Sequence, residues 1–360
     1  MDKNETASFT KRDTKIAKGI AVILLLTHHL YMGVLPAPMS LTGNSPLLVF
    51  ATLSKVCVAI FAILSGYGLE ISFKRKRESE ICFQKKHLLS LMKPYWLVFA
   101  LFSVLAVFYA RPEYTPSAVY GTGVRGIANA ICEALALRPV FATPTINQTW
   151  WYMEAALVMY LLFPLLRRLT EKVPYIVLPI TAVPLILYTV FGNNVWDTCR
   201  EIYWLFPFTA GIYAAHNGLL DRFAKFCGNK HAAAIIVSGL SVIVLAVGRA
   251  KIGLALDTFF GISIILFSRA VISRIPFVGS VLEYIGGYSS DIFLTHSFFY
   301  CYFVSQTIFA KKFLWSESPI IELLALPLLL AMSLGASVVL KLIRERMDIL
   351  IGKIKQKKHG

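Results

Sequence analysis

Two histidines and a lysine occupy positions where ionisable side chains are costly. In the stretch 15–31, KIAKGIAVILLLTHHLY, Lys18 and His29 stand eleven residues apart. At about 100° per residue, that interval falls within roughly 20° of three full turns, so a helix carries both on one face, about 16 Å apart along its axis. His28 turns away from that face by about 80°. A cation near one membrane surface suits an anion, and an imidazole deeper in the bilayer suits general-base chemistry. A third histidine, His296, lies in EYIGGYSSDIFLTHSFF, about 8 Å further along its helix than Asp291. A lone membrane histidine commonly bonds one neighbouring helix. Two of them in separate spans, His29 and His296, point to a shared polar cavity.

Other reactive residue types carry less. Glu154 sits about one turn into an apolar run that opens NQTWWYMEAALVMY, close enough to an interface for a structural partner to be as good a reading as a functional one. The six cysteines, Cys57, Cys82, Cys132, Cys199, Cys227 and Cys301, are scattered without a C-x-x-C pair. That argues against a disulfide framework and a zinc site, and no metal is expected.

The elements that must hold these residues are membrane helices. With 57% hydrophobic and 16% charged residues over 360 positions and a mean hydropathy of +0.65, the chain is a polytopic membrane protein rather than a soluble domain. No charged region, short apolar core and small-residue cleavage site precede a soluble sequence, so the first apolar run is a retained span. Runs of membrane length fall at about 16–35, 47–72, 88–110, 150–166, 174–192, 202–215, 232–248, 252–268, 289–310 and 319–340, which gives an all-α fold of about ten transmembrane helices. The run at 174–192 is interrupted by Pro179 and Pro184, and the short one at 202–215 by Pro207. Residues 111–149 read as one long external loop with a weakly amphipathic piece near 125–138.

Basic residues set the orientation. With ten spans and an inside N-terminus, 27 of the 36 Lys and Arg fall on cytoplasmic segments and 8 on external ones, with Lys55 inside a span. Both termini are therefore expected in the cytoplasm. Lys18 then lies at the cytoplasmic end of the first helix, and His29 lies past its middle toward the outside. The net charge of +16 reflects this bias and attraction to anionic lipid, not a nucleic-acid surface. One cluster exceeds it: Lys74, Arg75, Lys76 and Arg77, then Lys85, Lys86, His87 and Lys93. These suit either a solvated stop-transfer loop or a mouth for a polyphosphate. Nearby, Ser65, Gly66 and Gly68 allow close helix approach or an opened backbone, and Glu70 is placed to pair with the basic loop. Trp150, Trp151 and Tyr152 read as an aromatic belt at the outer interface.

The series KGIAVILLLTHH, CVAIFAILSGYGL, KKHLLSLMKPY, NQTWWYMEAALVMYLLFP, FPFTAGIY and YIGGYSSDIFLTH, in that order, resembles the acyltransferase-3 family of integral membrane acyltransferases, which O-acylate cell-envelope glycans. The resemblance covers about 16–300 and implies a ten-helix acyltransferase domain over 16–345, between a cytoplasmic tail at 1–15 and a basic cytoplasmic tail at 346–360. The family's first-helix signature, an arginine, ten residues and a histidine, maps onto Lys18 and His29, with lysine keeping the charge but losing the bidentate fork. It implies His29 as the catalytic base and Lys18, Lys74, Arg75, Lys85, Lys86 and Lys93 as contacts for acyl-CoA. Ser65, Gly66, Trp151, Asp291 and His296 are supporting residues. A glutamate that some members carry in the fourth helix aligns with Ala156, not Glu154. The periplasmic hydrolase-like domain appended in some members is not expected.

The resemblance implies acyl transfer, in the first place acetyl transfer, from cytoplasmic acyl-CoA to a hydroxyl of a cell-envelope or exopolysaccharide glycan or its lipid-linked precursor. Acyl-CoA (acetyl-CoA) enters as donor substrate; no permanently bound cofactor and no nucleic-acid partner is expected. The expected setting is the bacterial plasma membrane, with membrane lipid around the chain. The pantetheine arm would run up from Lys18 and bring the thioester beside His29. Two other readings stay open on the residues: a non-enzymatic glycan or lipid carrier, against which the two halves show no self-similarity, and an acyltransferase acting on a small hydroxylated metabolite.

Overall fold

The computed structural model describes residues 8–32, 46–76, 78–192, 197–302 and 319–359. Among them the chain is almost wholly helical, with no β-strand. Helix α1 (Lys11–Tyr31) starts five residues before the apolar run because Thr10 and Asp13 cap each other: the Asp13 amide donates to the Thr10 hydroxyl at 3.2 Å and the Thr10 amide to the Asp13 carboxylate at 2.8 Å. Arg12 with Glu283 (3.1 Å) and Asp13 with Arg269 (3.5 Å) tie that first turn to later parts of the chain.

Helix α2 (Pro46–Leu53) passes through a 3₁₀ turn, Ser54–Val56, into α3 (Cys57–Arg75). Helix α4 (Glu80–Tyr109) is capped by Ser79 and begins eight residues before the expected 88. Lys85, Lys86 and His87 therefore stand on a helix instead of in a loop. The segment 111–149 folds into α5 (Pro116–Tyr120), α6 (Gly123–Ala134) and α7 (Arg138–Phe141). Then come α8 (Trp151–Lys172), α9 (Pro174–Phe191), which runs unbroken through Pro179 and Pro184, and α10 (Leu205–His216), with Pro207 in its first turn where no intrahelical amide is lost. Helices α11 (Leu219–Asn229), α12 (His231–Ile252), α13 (Asp257–Ala270), α14 (Pro276–Gly287) and α15 (Ser289–Ser297) follow; α15 continues as a π turn, Phe298–Tyr302. The last is α16 (Pro319–His359), which carries the basic stretch at 346–359 as helix.

Seven helical stretches among the described residues are long and apolar enough to cross a membrane: Pro46–Arg75, Glu80–Tyr109, Gln148–Lys172, Pro174–Phe191, His231–Ile252, Leu254–Arg274 and Leu324–Leu350. Three further expected spans correspond to α1, α10 and α15, which are shorter or more polar. Helices α11 and α14 form where loops were expected. Residues 33–35 of the first expected span, 303–310 of the ninth, and Arg77 lie outside the described residues.

Burial separates lipid-facing from central helices. Ile236, Val237, Leu240, Ile243, Val244 and Val247 leave one whole side of α12 exposed and apolar, as a lipid-facing helix requires. Thr27, His28 and His29 of α1 and Thr295, His296 and Ser297 of α15 are buried. Two close helix crossings fix this centre. A Cβ on Gly66 would lie 2.1 Å from the Phe208 carbonyl oxygen, and one on Gly211 2.1 Å from that of Ile63, so α3 and α10 meet backbone to backbone. Helices α1 and α14 do the same: a Cβ on Gly286 would lie 1.8 Å from the Lys15 carbonyl oxygen, and one on Gly19 2.1 Å from that of Leu282. Gly66 thus serves packing, a Cβ on Gly68 would meet nothing within 4 Å, and the backbone of α3 stays helical through Ser65 and Gly66.

Candidate active site

His29 and His296, far apart in sequence, meet in the centre. Nδ1 of His29 lies 2.6 Å from Nε2 of His296, and the rings are near-parallel at 10° with centroids 4.9 Å apart. His296 Nδ1 faces two main-chain carbonyls, Phe293 at 2.8 Å and Ile292 at 3.1 Å. Carbonyl oxygens only accept, so with each ring neutral the His296 proton sits on Nδ1 and its Nε2 accepts. The bond to His29 must then be donated by His29 Nδ1–H, which leaves His29 Nε2 with its lone pair and no hydrogen bond among the described residues. A helix carbonyl thus selects the tautomer of one imidazole, and that imidazole selects the tautomer of the next. His28 Nδ1 donates to the Ala51 carbonyl at 2.9 Å.

Two cavities lie along α1. The larger, ≈ 370 Å³, is lined by His28 and His29 together with Lys55, Arg249, Trp151 and Trp204. The smaller, ≈ 210 Å³, is lined by Lys18, Ser65, His87, Ala156, Tyr160 and Ser289. Lys18 and His29, placed on one face by helical phase, thus open onto different cavities. Lys18 makes no ion pair among the described residues. In the larger cavity, Arg249 is held by Asp257 at 2.8 Å, both being buried, and Lys55 shares the wall.

The remaining sequence-nominated residues are distributed as follows. Lys74, Arg75, Lys85, Lys86 and Lys93 are exposed, and none of them lines either cavity. Lys74 bonds the His216 carbonyl at 3.0 Å and pairs with the buried Glu70 at 3.7 Å, which also meets Arg167 at 3.2 Å and His216 at 3.5 Å. Among the described residues of that cluster only His87 reaches the smaller cavity. Asp291 is gripped at both oxygens by Arg344 of α16, at 2.7 and 2.6 Å. Glu154 is gripped likewise by Arg138, at 2.8 and 2.9 Å, fastening the 111–149 segment to α8. The aromatic run is not an interface belt. Trp150 is 2% exposed and donates its indole N–H to the Leu294 carbonyl at 3.1 Å, and Trp151 turns into the larger cavity.

Sequence reasoning missed how the 111–149 segment braces α15. Asn147 donates its amide to the Ser297 hydroxyl at 2.8 Å and its own carbonyl oxygen accepts from Thr149, so NQTW grips the turn that carries His296. Behind it, Glu133 is 2% exposed and accepts from Tyr120 (2.6 Å), Thr145 (2.6 Å) and the Ile146 amide (2.9 Å). Burial pushes its carboxyl up to about 7 against the pull of those three donors. The Tyr120 phenol is raised too, by burial and then by Glu133. In sequence Glu133 falls in the weakly amphipathic piece near 125–138, where a single carboxylate reads as the solvated side; the T-x-N at Thr145–Asn147 that meets it lies a dozen residues on. Lys55 and Arg249 were also missed, since Lys55 reads as a lone charge inside a span and Arg249 as one at a span end.

These features define a multi-pass helical membrane protein with a tautomer-locked histidine on the larger of two cavities along its first helix. A family model described as an acyltransferase domain, that of the acyltransferase-3 family, matches residues 14–342, and the chain belongs to this family of membrane acyltransferases. No curated protein and no solved structure gives a significant match.

Proposed function

We propose that this protein moves an acyl group, acetyl in the first instance, from cytoplasmic acyl-CoA to a hydroxyl of a cell-envelope or exopolysaccharide glycan or its lipid-linked precursor. The observation that carries the reading is the free Nε2 of His29 on the larger cavity, with Nδ1 committed to His296. A base needs its lone pair aimed at the substrate and its ring orientation fixed, and His296 supplies the second. Lys18 supports the donor assignment, since a cation without an ion pair at the smaller cavity suits a phosphate or the pantetheine arm. Lys74, Arg75, Lys85, Lys86 and Lys93 are exposed charges on α3 and α4, the helices that give Ser65 and His87 to that cavity; on this reading they draw the nucleotide in without lining the cavity. Ser65 lines the donor cavity and Gly66 holds α3 against α10, while Asp291 anchors α16. Trp151, Trp204, Tyr188 and Tyr203 give the larger cavity the aromatic walls that suit a sugar ring, and Lys55 and Arg249 add polar contacts.

The acceptor hydroxyl gives its proton to His29 Nε2 as its oxygen attacks the thioester carbon. His29 then returns that proton to the departing CoA sulfur. Purified protein incubated with radiolabelled acetyl-CoA and an envelope extract of the source cells should label the extract and release CoA. His29→Ala, expressed and folded, should do neither. Full activity in that variant sinks the proposal, and transport of unmodified glycan without CoA release would favour a carrier.

A further inference from the structure

Three side chains line both cavities: Phe61 of α3, Tyr152 of α8 and Phe293 of α15. Tyr152 and Phe293 meet edge to face with centroids 5.5 Å apart, Phe61 and Tyr152 are 6.4 Å apart, and Phe293 lies 6.3 Å from His296. They form the partition between the Lys18 cavity and the His29 cavity. Phe61 and Phe293 offer only rings. Tyr152 adds a hydroxyl that is sealed from solvent; its polar neighbour is the Ser65 hydroxyl of the smaller cavity, close enough to interact but without hydrogen-bond geometry. Buried phenol hydroxyls are normally partnered. An O–H without a well-formed partner on a wall shared by two cavities can turn toward an acceptor bound there.

We propose that Tyr152 is a catalytic residue that donates its O–H to the carbonyl oxygen of the acyl thioester. The inference rests on the acyl-transfer reading with His29 as base. If the donor fills the Lys18 cavity and the acceptor the His29 cavity, the thioester carbon sits at their common wall. The acceptor oxygen bonds to that carbon as its proton passes to His29 Nε2, and the carbonyl π pair moves onto oxygen. Tyr152 O–H stabilises this oxyanion without giving up its proton. When the pair returns, the carbon–sulfur bond breaks, and the CoA sulfur leaves with its bonding pair and takes the proton from His29. The products are an ester and free CoA thiol, with Tyr152 unchanged. The aromatic partition excludes bulk water from that point, which strengthens a single neutral donor.

The test is Tyr152→Phe in the full chain in lipid nanodiscs, with radiolabelled acetyl-CoA as donor and source-cell envelope extract as acceptor. The expected result is a fall in kcat of about 10²–10³-fold, the KM for acetyl-CoA within about twofold of wild type, and a melting temperature equal to or above wild type. That last outcome follows from deleting an unpartnered buried hydroxyl, whereas a structural hydroxyl would lower stability. An infrared readout is independent of turnover: [1-¹³C]acetyl-CoA bound to His29→Ala should show its thioester carbonyl stretch at lower frequency than when bound to His29→Ala/Tyr152→Phe. Wild-type kcat in Tyr152→Phe, with His29→Ala inactive, overturns the Tyr152 role and leaves the acyl-transfer reading standing. An unshifted carbonyl band overturns it equally, and a fully active His29→Ala overturns the reading beneath it.

Discussion

Glu133→Gln isolates a pH-dependent term in the bracing of α15. In the folded chain the carboxyl is pushed up to about 7 from an ordinary 4.5. The folded state therefore holds a proton that the unfolded chain releases between those values, and stability falls as pH rises from about 4.5 through about 7. At about 1.4 kcal/mol per unit, the difference is on the order of 3 kcal/mol, present below pH 4.5 and gone above pH 7. Glutamine mimics the neutral form. Its oxygen can take the Tyr120 and Ile146 donors, both of which reach Oε2. Its NH₂ can face Thr145 Oγ1, whose own proton has an alternative acceptor in the Asn147 carbonyl at 3.0 Å. Wild type and Glu133→Gln should thus melt alike near pH 4.5, and the variant should be more stable at pH 8 by a few degrees. Thermal unfolding in one detergent from pH 4.5 to 8.5, taken as the difference between the two proteins, cancels every other titrating group. A flat difference, or one in which wild type gains as pH rises, refutes the burial argument.

Two further outcomes concern the site and its frame. His296→Leu removes the acceptor for His29 Nδ1–H and should lower kcat by at least tenfold. His296→Gln, whose amide oxygen can accept the same bond, should recover part of that loss; equal activity in both variants would show that His296 does not position His29. Gly286→Ala should cost about 1–3 kcal/mol or more of stability, because its new methyl falls 1.8 Å from the Lys15 carbonyl oxygen. Gly287→Ala meets nothing within 4 Å and should be close to neutral, so similar melting temperatures for the two variants would contradict the packing.

What could be read in the sequence was what repeats locally. The helical period alone put Lys18 and His29 on one face, and apolar run length alone gave most of the helices. Gly66 announced a close approach, but nothing near it named Phe208 as the carbonyl it meets. Trp150 and Trp151 misled for a related reason: aromatic residues at a span end resemble an interface belt until the fold decides which side faces lipid, and here Trp150 faces α15 and Trp151 the larger cavity. The charge cluster at 74–93 was legible as charge but not as geometry, since α4 starts early and turns Lys85, Lys86 and Lys93 outward. The contact between His29 and His296 spans 267 residues, and residue type could only make it worth expecting.

That contact depends on where α1 sits relative to one continuous stretch, α14 and α15, separated only by Tyr288. Near its start, α1 is pressed onto α14 through Gly19 and Gly286, where neither backbone can move closer and any added methyl pushes them apart. At the other end the same pair of chain segments closes through the 2.6 Å bond between imidazoles. Gly286 and His296 are ten residues apart, about 15 Å of helix, so a small change of spacing at the glycines tilts α1 where His29 must keep its bond. Asn147 and Trp150 fix α15 from the opposite side, at Ser297 and Leu294, the two neighbours of the 295–296 pair. His29 is therefore located by backbone contact on one flank and by the 111–149 segment on the other. This leaves its free nitrogen as the part of the ring not already committed to the fold.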